Sequence, residues 1–331
     1  MSTRHVILLF SVLLTSGMLL ALLVGHYALS LREVIQIVSS PWNDSPPDPR
    51  KATVFWHIRL PRLVASLLIG SGLAVAGAAY QGMFRNPLVS PDILGVSSGA
   101  GVGATVGIFL GLPILFIQLL AFAGGLGTVA LVCVIARMAR RHDPVFSLVL
   151  VGLALGSLGG AAISLIKILA DPYTQLPSIT FWLLGGLSAI TSHDLKGAAV
   201  LILIGLVPLM LLRWRMNLLS LPDDEARTLG LNIPRTRLLF ILAATLITAS
   251  AVSIAGIIGW VGLVVPHICR LIVGDNFNRL LPVSAAAGAL LLLLTDTLAR
   301  TLASIELPLG ILTSAIGAPF FLMLLLRGEK V

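Results

Sequence analysis

Charged residues are scarce in this chain. Only 11% of its 331 residues are Asp, Glu, Lys or Arg, whereas 57% are hydrophobic and the mean hydropathy is +1.02. A soluble domain carries about 25% charged residues, so the polar surface is too small to cover a water-soluble globule of this size. The scarcity excludes that class and predicts an all-α, polytopic membrane protein.

Cysteine is nearly absent, and histidine is scattered. The two cysteines, Cys133 and Cys269, lie far apart inside apolar runs and form no CxxC pair. This pattern excludes a disulfide framework and a zinc knuckle. The six histidines show no metal-ligand spacing, so the sequence predicts no metal site and no cofactor bound by this chain.

Nucleotide-binding and hydrolytic motifs are also missing. None of the four lysines stands in a GxxxxGK[ST] context, so a Walker-type ATP site is excluded. The absence of HExxH and GxSxG disfavours a polytopic membrane enzyme. Asp296 and Arg300 are four residues apart and are predicted to pair on one helix face. Because no series of buried acids crosses the bilayer, an ion-coupled secondary transporter remains only the alternative.

What the chain has instead is a net charge of +8, carried at the ends of apolar runs rather than on one basic face. Nucleic acid is therefore not the expected partner, and the basic residues are expected to set orientation in the membrane. With the N-terminus inside, fourteen of the 22 basic residues fall on the inner side. The outer eight are Arg32, Arg50, Lys51, Arg59, Arg62, Lys167, Lys196 and Arg300. Both termini are therefore predicted to be cytoplasmic.

Long apolar runs are abundant, and a spanning helix needs about 20 such residues. Ten spans are predicted, at residues 6–25, 61–83, 94–111, 115–136, 145–167, 195–212, 237–257, 259–273, 281–301 and 308–326. Residues 169–193 contain two prolines and predict a short interfacial or re-entrant helix. We interpret 1–331 as one transmembrane domain whose first apolar run is retained as a helix.

Small residues recur at helical spacing in three stripes. They are Gly70, Ala74, Ala78 and Gly82; Gly103, Gly107 and Gly111; and Gly152, Gly156 and Gly160. Small residues four apart allow helix backbones to approach closely in lipid. Tight packing is the first interpretation of all three stripes, and the third is also compatible with a pore or dimer contact.

A polar island at residues 213–237 interrupts the apolar runs and holds eight of the chain's 36 charged residues. Within it, residues 218–230 predict a short helix. Pro222 suits the first helical position, the acids at 223–225 suit the positive helix end, and Gly230 suits the position after the helix. A helix of two turns is marginal alone, so we expect it to contact a partner; a plain cytoplasmic connector is the alternative.

Five motifs, in order along the chain, resemble the FecCD/BtuC family, the permease subunits of type II ABC importers. They are Arg59-Leu-Pro-Arg62, Arg85-Asn-Pro-Leu-Val-Ser-Pro-Asp-Ile-Leu-Gly-Val-Ser-Ser-Gly-Ala100, Gly259-Trp-Val-Gly-Leu-Val-Val-Pro-His-Ile-Cys-Arg270, Leu281-Pro-Val-Ser284, and Glu306-Leu-Pro-Leu-Gly-Ile-Leu-Thr313 with Gly317-Ala-Pro319. The resemblance covers nearly the whole chain. It implies a ten-span permease of the bacterial inner membrane that imports a metal chelate: an iron–siderophore complex first, with haem, cobalamin or molybdate as the alternatives.

The same resemblance implies partners. Family members work as permease dimers, here expected to be a homodimer, with two ATP-binding subunits that hold ATP and Mg²⁺ and with a periplasmic substrate-binding protein. The segment 218–230 would be the helix that couples the permease to the ATPase. Its expected contact residues are Leu218, Leu221, Pro222, Asp223, Asp224, Glu225, Ala226, Leu229 and Gly230. Ala226 and Leu229, three apart, are predicted to lie on one side of this helix.

Two further sites follow from the resemblance. Arg59, Arg62 and Arg300 are expected to dock carboxylates of the binding protein, because a guanidinium binds a carboxylate through two parallel hydrogen bonds. Headgroup anchoring is the alternative. The turn His142-Asp143-Pro144-Val145-Phe146 is expected to form the cytoplasmic gate. Val145 and Phe146 would close it by apolar contact and dewetting.

Overall fold

The computed structural model describes residues 3–25, 27–40, 47–139 and 144–326. Two residues of the predicted gate turn, His142 and Asp143, lie outside these ranges, as do four of the basic residues assigned to the inner side: Arg140, Arg141, Arg327 and Lys330. Pro144, Val145 and Phe146 lie within them.

The described residues form helices joined by short connections, with no strand among them. The α-helices are α1 (Thr3–Leu23), α2 (Leu31–Ser39), α3 (Pro49–Thr53), α4 (Leu60–Phe84), α5 (Val96–Phe109), α6 (Ile114–Met138), α7 (Pro144–Leu169), α8 (Gln175–Leu184), α9 (Ser192–Leu211), α10 (Arg213–Leu219), α11 (Asp223–Thr228), α12 (Ile233–Ala255), α13 (Val261–Val273), α14 (Phe277–Thr301) and α15 (Leu309–Leu326). A π-helical segment, Val54–Arg59, joins α3 to α4, and a 3₁₀ turn, Pro91–Leu94, precedes α5.

The predicted all-α class is confirmed, and each predicted span coincides with one helix: α1, α4, α5, α6, α7, α9, α12, α13, α14 and α15. By length and composition, six of the described helices are able to cross a membrane; they include α4 with its preceding segment, α6, α7, α9, α12 and α14. The other four contain apolar stretches of 10–17 residues. At 1.5 Å per residue, α13 covers only about 20 Å, which is less than the thickness of a bilayer core.

The segment between the first two spans has more structure than the sequence analysis assigned to it. Ser30 and Glu33 form a reciprocal cap at the start of α2, which stabilises the first turn. Glu33 also pairs with Lys51 of α3. The Lys51 ammonium, assisted by the Ser30 backbone N–H, lowers the pKa of Glu33 to about 2. The expected short helix in residues 169–193 is present as α8.

Close backbone contacts hold α4 in the middle of the bundle. Gly70 of α4 faces Gly288 of α14, and a Cβ atom at either position would lie 2.3 Å from the other's carbonyl oxygen. Gly77 faces Gly262 of α13 even more closely, at 1.8 Å by the same measure. Only glycine permits these approaches, because real Cβ atoms do not come that near to a carbonyl. The first predicted stripe therefore packs α4 against α14.

The other two stripes pack only in part. Gly103 lies against the Leu120 backbone of α6, whereas Gly111 lies beyond α5 in a left-handed turn (φ 65°) with open space beside it. Gly111 is thus a turn residue and not a packing residue, which corrects the second stripe. In the third stripe, Gly152 approaches the Ile93 carbonyl, but Gly160 has nothing within 4 Å.

Candidate functional site

Charged residues gather at two opposite ends of the bundle, which α4 connects. Arg59 and Arg62 lie at its start, and we call that side the arginine end. Arg85 follows its last residue, beside α10 and α11, and we call that side the coupling end. The 25 residues of α4 separate the two by about 37 Å, the thickness of a bilayer core with part of its headgroups.

At the coupling end, α10 anchors the polar island to the bundle. Met216 and Leu219 are buried to 1% exposure. Asn217 accepts a hydrogen bond from the Phe277 backbone N–H at 2.9 Å and donates to Asn276 at 3.3 Å. The Phe277 N–H lies at the start of α14, where backbone donors have no intrahelical partner, and Asn217 satisfies it. The island is therefore fixed to the transmembrane helices before α11 begins.

The short helix α11 covers fewer residues than the predicted segment 218–230. Leu218 belongs to α10, and Leu221 lies in the link between the two helices. Pro222 is the N-cap and not the first helical residue, because its carbonyl accepts the first bond, from the Ala226 N–H at 3.0 Å. Gly230 takes the expected place after the helix, with φ 81°.

The end of α11 is a Schellman motif. Gly230 N–H donates to the Arg227 carbonyl at 2.9 Å, and Leu231 N–H donates to the Ala226 carbonyl at 3.1 Å. The pattern satisfies two carbonyls that the helix leaves open. Leu231 and Ala226 are both buried, which is the apolar contact that accompanies this motif.

The two sides of α11 differ from the prediction. Ala226 is fully buried against the bundle, whereas Leu229 is 59% exposed. They do not share a docking face, because Ala226 serves to attach the helix to its own chain. The exposed residues of the segment 218–230 are Ser220, Pro222, Asp224, Glu225, Arg227, Thr228, Leu229 and Gly230, with Leu218 and Leu221 half-buried.

Asp223 also turns away from the exposed side. Its carboxylate pairs with Arg85 after α4, and it lies 3.6 Å from an Arg237 nitrogen in the first turns of α12. Arg85 also donates from Nε to the Leu219 carbonyl at 3.1 Å. Arg85 and Arg237 were not among the residues assigned to this site, since nothing in the sequence shows which distant arginine meets which acid.

At the arginine end, one buried carboxylate binds two arginines. Asp296 accepts from Arg62 at 2.8 Å and from Arg300 at 3.2 Å, which confirms the predicted pairing of Asp296 with Arg300. Arg62 Nη1 also donates to both carboxylate oxygens of Glu306, at 2.8 and 2.9 Å. Asp296 is 1% exposed, and the Glu306 side chain is 41% exposed. The cluster joins α4, α14 and the connection before α15.

The three arginines predicted to dock the binding protein are largely buried within this chain. Arg59 and Arg62 are each 4% exposed and Arg300 is 8% exposed. Arg59 donates to the backbone carbonyls of Leu22 and Tyr27 at the end of α1. In each case a guanidinium buried at a helix end is stabilised by acceptors of its own chain, because a buried charge without partners would cost several kcal/mol. These three of the eight basic residues assigned to the outer side are thus bonded to groups of the same chain.

The start of α7 lies at the coupling end. Val145 is half-buried against the core, and Phe146 is 53% exposed. Further along α7, Leu150, Leu153 and Leu158 are exposed to 49%, 56% and 65%. One apolar side of this helix therefore remains uncovered by the described part of the chain.

A cavity of about 610 Å³ lies at the arginine end. Its walls are mainly apolar, with Phe181 and Trp182 of α8 among them, and Arg62 and Glu306 lie on its lining. Cavities of this size accommodate drug-sized molecules. The apolar walls and the few polar groups fit a bulky, weakly polar ligand better than a bare ion.

Apolar helices of this number and length, with an anchored polar island at one end, define a multi-pass membrane protein. A family model described as the FecCD transport family matches residues 12–327. The chain belongs to this family and is an ABC importer permease of the FecCD/BtuC type, which confirms the resemblance inferred from the five motifs.

Individual relatives support the assignment. The chain is 38% identical to the molybdate import system permease protein MolB of Haemophilus influenzae, over 97% of this chain and 95% of that protein. It is 40% identical to the Fe(3+) dicitrate transport system permease protein FecD of Escherichia coli, over 92% and 96%. A solved inward-facing ABC transporter structure, assigned to the metal-chelate type, superposes with a TM-score of 0.89 at 37% identity, covering 98% and 99% of the two chains.

The arginine end generates a stability prediction. Asp296→Asn leaves Arg62 and Arg300 without their shared charge, so we expect a loss of about 3–5 kcal/mol in the free energy of unfolding. Glu306→Gln removes a partly exposed partner and should cost about 1 kcal/mol or less. Chemical unfolding in mixed micelles measures both values. Equal losses for the two variants would contradict the buried cluster.

Proposed function

We propose that this permease imports a metal chelate, an iron–siderophore complex, across the bacterial inner membrane, and that haem, cobalamin and molybdate are the alternative cargoes. It works as a homodimer with two ATP-binding subunits and a periplasmic binding protein. ATP and Mg²⁺ are bound by the partner subunits. Both termini of this chain, and the coupling end, face the cytoplasm.

The observation that carries this proposal is α11. It is a two-turn helix with acidic and apolar residues on its exposed side. On its other side Ala226 is buried and Asp223 pairs with two arginines, and a Schellman motif ends the helix. A helix of six residues is not stable alone. A plain connector between two spans would not require these contacts with the bundle. Its geometry suits a projection that receives force from a partner and passes it to the bundle.

The choice of cargo rests on the cavity and on the relatives. The apolar 610 Å³ cavity suits an organic chelate. MolB is a permease for molybdate import and FecD for Fe(3+) dicitrate, at nearly equal identity to this chain. Because these relatives carry different cargo on one fold, the binding protein is proposed to select the substrate and to deliver it at the arginine end.

Uptake by proteoliposomes tests the proposal. The permease is reconstituted with the ATPase and the binding protein of its own transporter, and is given a ferric siderophore, haem, cobalamin or molybdate. We expect uptake of the ferric siderophore that requires ATP and both partners. Uptake by the permease alone under a proton or sodium gradient would instead establish the secondary-transporter alternative. ATP-driven uptake of haem, cobalamin or molybdate in place of the ferric siderophore would show that the proposed cargo is wrong.

Docking of the ATPase is tested at Leu229, the most apolar exposed group of α11. Leu229→Asp should weaken binding of the ATPase subunits by about 2 kcal/mol, roughly thirtyfold, because an apolar anchor at the centre of an interface is replaced by a charge. The matched control is Leu31→Asp, at a leucine that is 52% exposed on the first turn of α2 at the other end of the bundle. Surface plasmon resonance on nanodiscs measures both; equal affinities would contradict docking at α11.

The gate is tested at Phe146. We propose that Val145 and Phe146 from the two permease subunits meet and close the cytoplasmic exit. Phe146→Cys, with Cys133 and Cys269 replaced by serine, should form a disulfide across the dimer in at least one nucleotide state. Non-reducing gels after mild oxidation show the dimer band. Its absence in every nucleotide state would disprove the gate.

A further inference from the structure

The three acids that begin α11 have different surroundings, although they share one helix turn. The Asp224 side chain is 99% exposed, and among the described residues its ion pair is with Arg227 of the same helix, at 4.0 Å. Glu225 is exposed too. The Asp223 side chain is 39% exposed and lies between two arginines of other helices. All three suit the positive helix end, so the helix dipole does not explain why Asp223 alone turns inward.

Arg85 connects α11 to the end of α4 through a constrained backbone. It is the C-cap of α4, in the left-handed region at φ 50°, where residues other than glycine are uncommon. From there its guanidinium binds both sides of the link between the two short helices, through the Leu219 carbonyl and the Asp223 carboxylate. One side chain thus fixes the end of α10 and the start of α11 to the central helix.

Arg237 provides the second connection. Its side chain is only 10% exposed, and it lies in the first turns of α12. It lines a cleft of about 360 Å³ together with Asp223 of α11 and with Pro144 and Leu148 of α7. The Asp223 carboxylate therefore lies where α11, α12 and the first turns of α7 come together. A displacement of α11 that keeps its ion pairs must move the ends of α4 and α12.

We propose that Asp223 is the positioning residue of energy coupling: held by Arg85 and Arg237, it transmits the movement of α11 to α4 and α12, next to the start of α7. This inference rests on the proposed function, in which α11 is the segment that the ATPase moves. Asp224 and Glu225 face outward, toward the partner, whereas Asp223 faces the permease's own helices. The acidic triplet therefore divides between two tasks.

Asp223→Asn tests the proposal, because it keeps the size of the side chain and removes its charge. In proteoliposomes with both partners and the cargo that the unmodified complex transports, uptake per ATP hydrolysed should fall about tenfold, as expected for loss of charge-assisted hydrogen bonds. Binding of the ATPase should remain unchanged, since the exposed side of α11 is intact. Asp223→Glu, which keeps the charge, should recover most of the ratio.

Asp275→Asn is the matched control, because it removes the same charge from a carboxylate at the coupling end that pairs with Arg270 at 2.8 Å and lies outside α11; it should leave uptake per ATP unchanged. Arg85→Gln is the second variant and should lower the ratio as Asp223→Asn does, even if Asp223→Asn itself fails to fold. An unchanged ratio in both variants overturns the proposal, and so does loss of ATPase binding, which would make Asp223 a docking residue. Failure of the unmodified complex to couple uptake to ATP would instead refute the proposed function.

Discussion

The rest of this structure depends on the backbone contacts of α4. In lipid, apolar side chains gain little by leaving the surrounding hydrocarbon for a neighbouring helix, so helices associate where their backbones approach closely. Gly70 against Gly288 and Gly77 against Gly262 provide such approaches on two sides of one helix. They make α4 the central column of the bundle, and both charged sites are attached to its ends.

The two ends apply one electrostatic rule in different ways. A charge near the apolar core must have partners. At the arginine end the rule is satisfied inside the chain, by Asp296, by Glu306 and by carbonyls at the end of α1. At the coupling end it is satisfied on the inner side of α11, where Asp223 pairs with Arg85 and Arg237, whereas Asp224 lies on the exposed side. The charges of the first end are thus paired within the chain, whereas at the second end the outer side of α11 stays exposed, and it is there that we propose the ATPase binds.

This difference bears on how the proposed ATPase partner would drive the permease. A surface that receives force must be firmly attached to the parts that move. Buried Ala226, the Schellman ending at Gly230 and the bonds of Asn217 attach the polar island to α12 and α14 at several points. Short segments held in this way move with the helices to which they are tied, and that is the property the proposed coupling requires.

The sequence by itself determined the membrane class, the ten apolar helices, the polar island and the family, because hydropathy and motif order are local properties of the chain. It also gave the Asp296–Arg300 pair, which helical spacing alone brings together. Only the tertiary structure decided that Arg62 meets Glu306, that Arg85 and Arg237 meet Asp223, and that Ala226 faces inward while Leu229 faces outward. Those contacts join residues up to 244 positions apart, or depend on how a short helix is rotated against the bundle. Both are set by the packing of glycine-lined helices, which no local pattern of charge or hydropathy specifies.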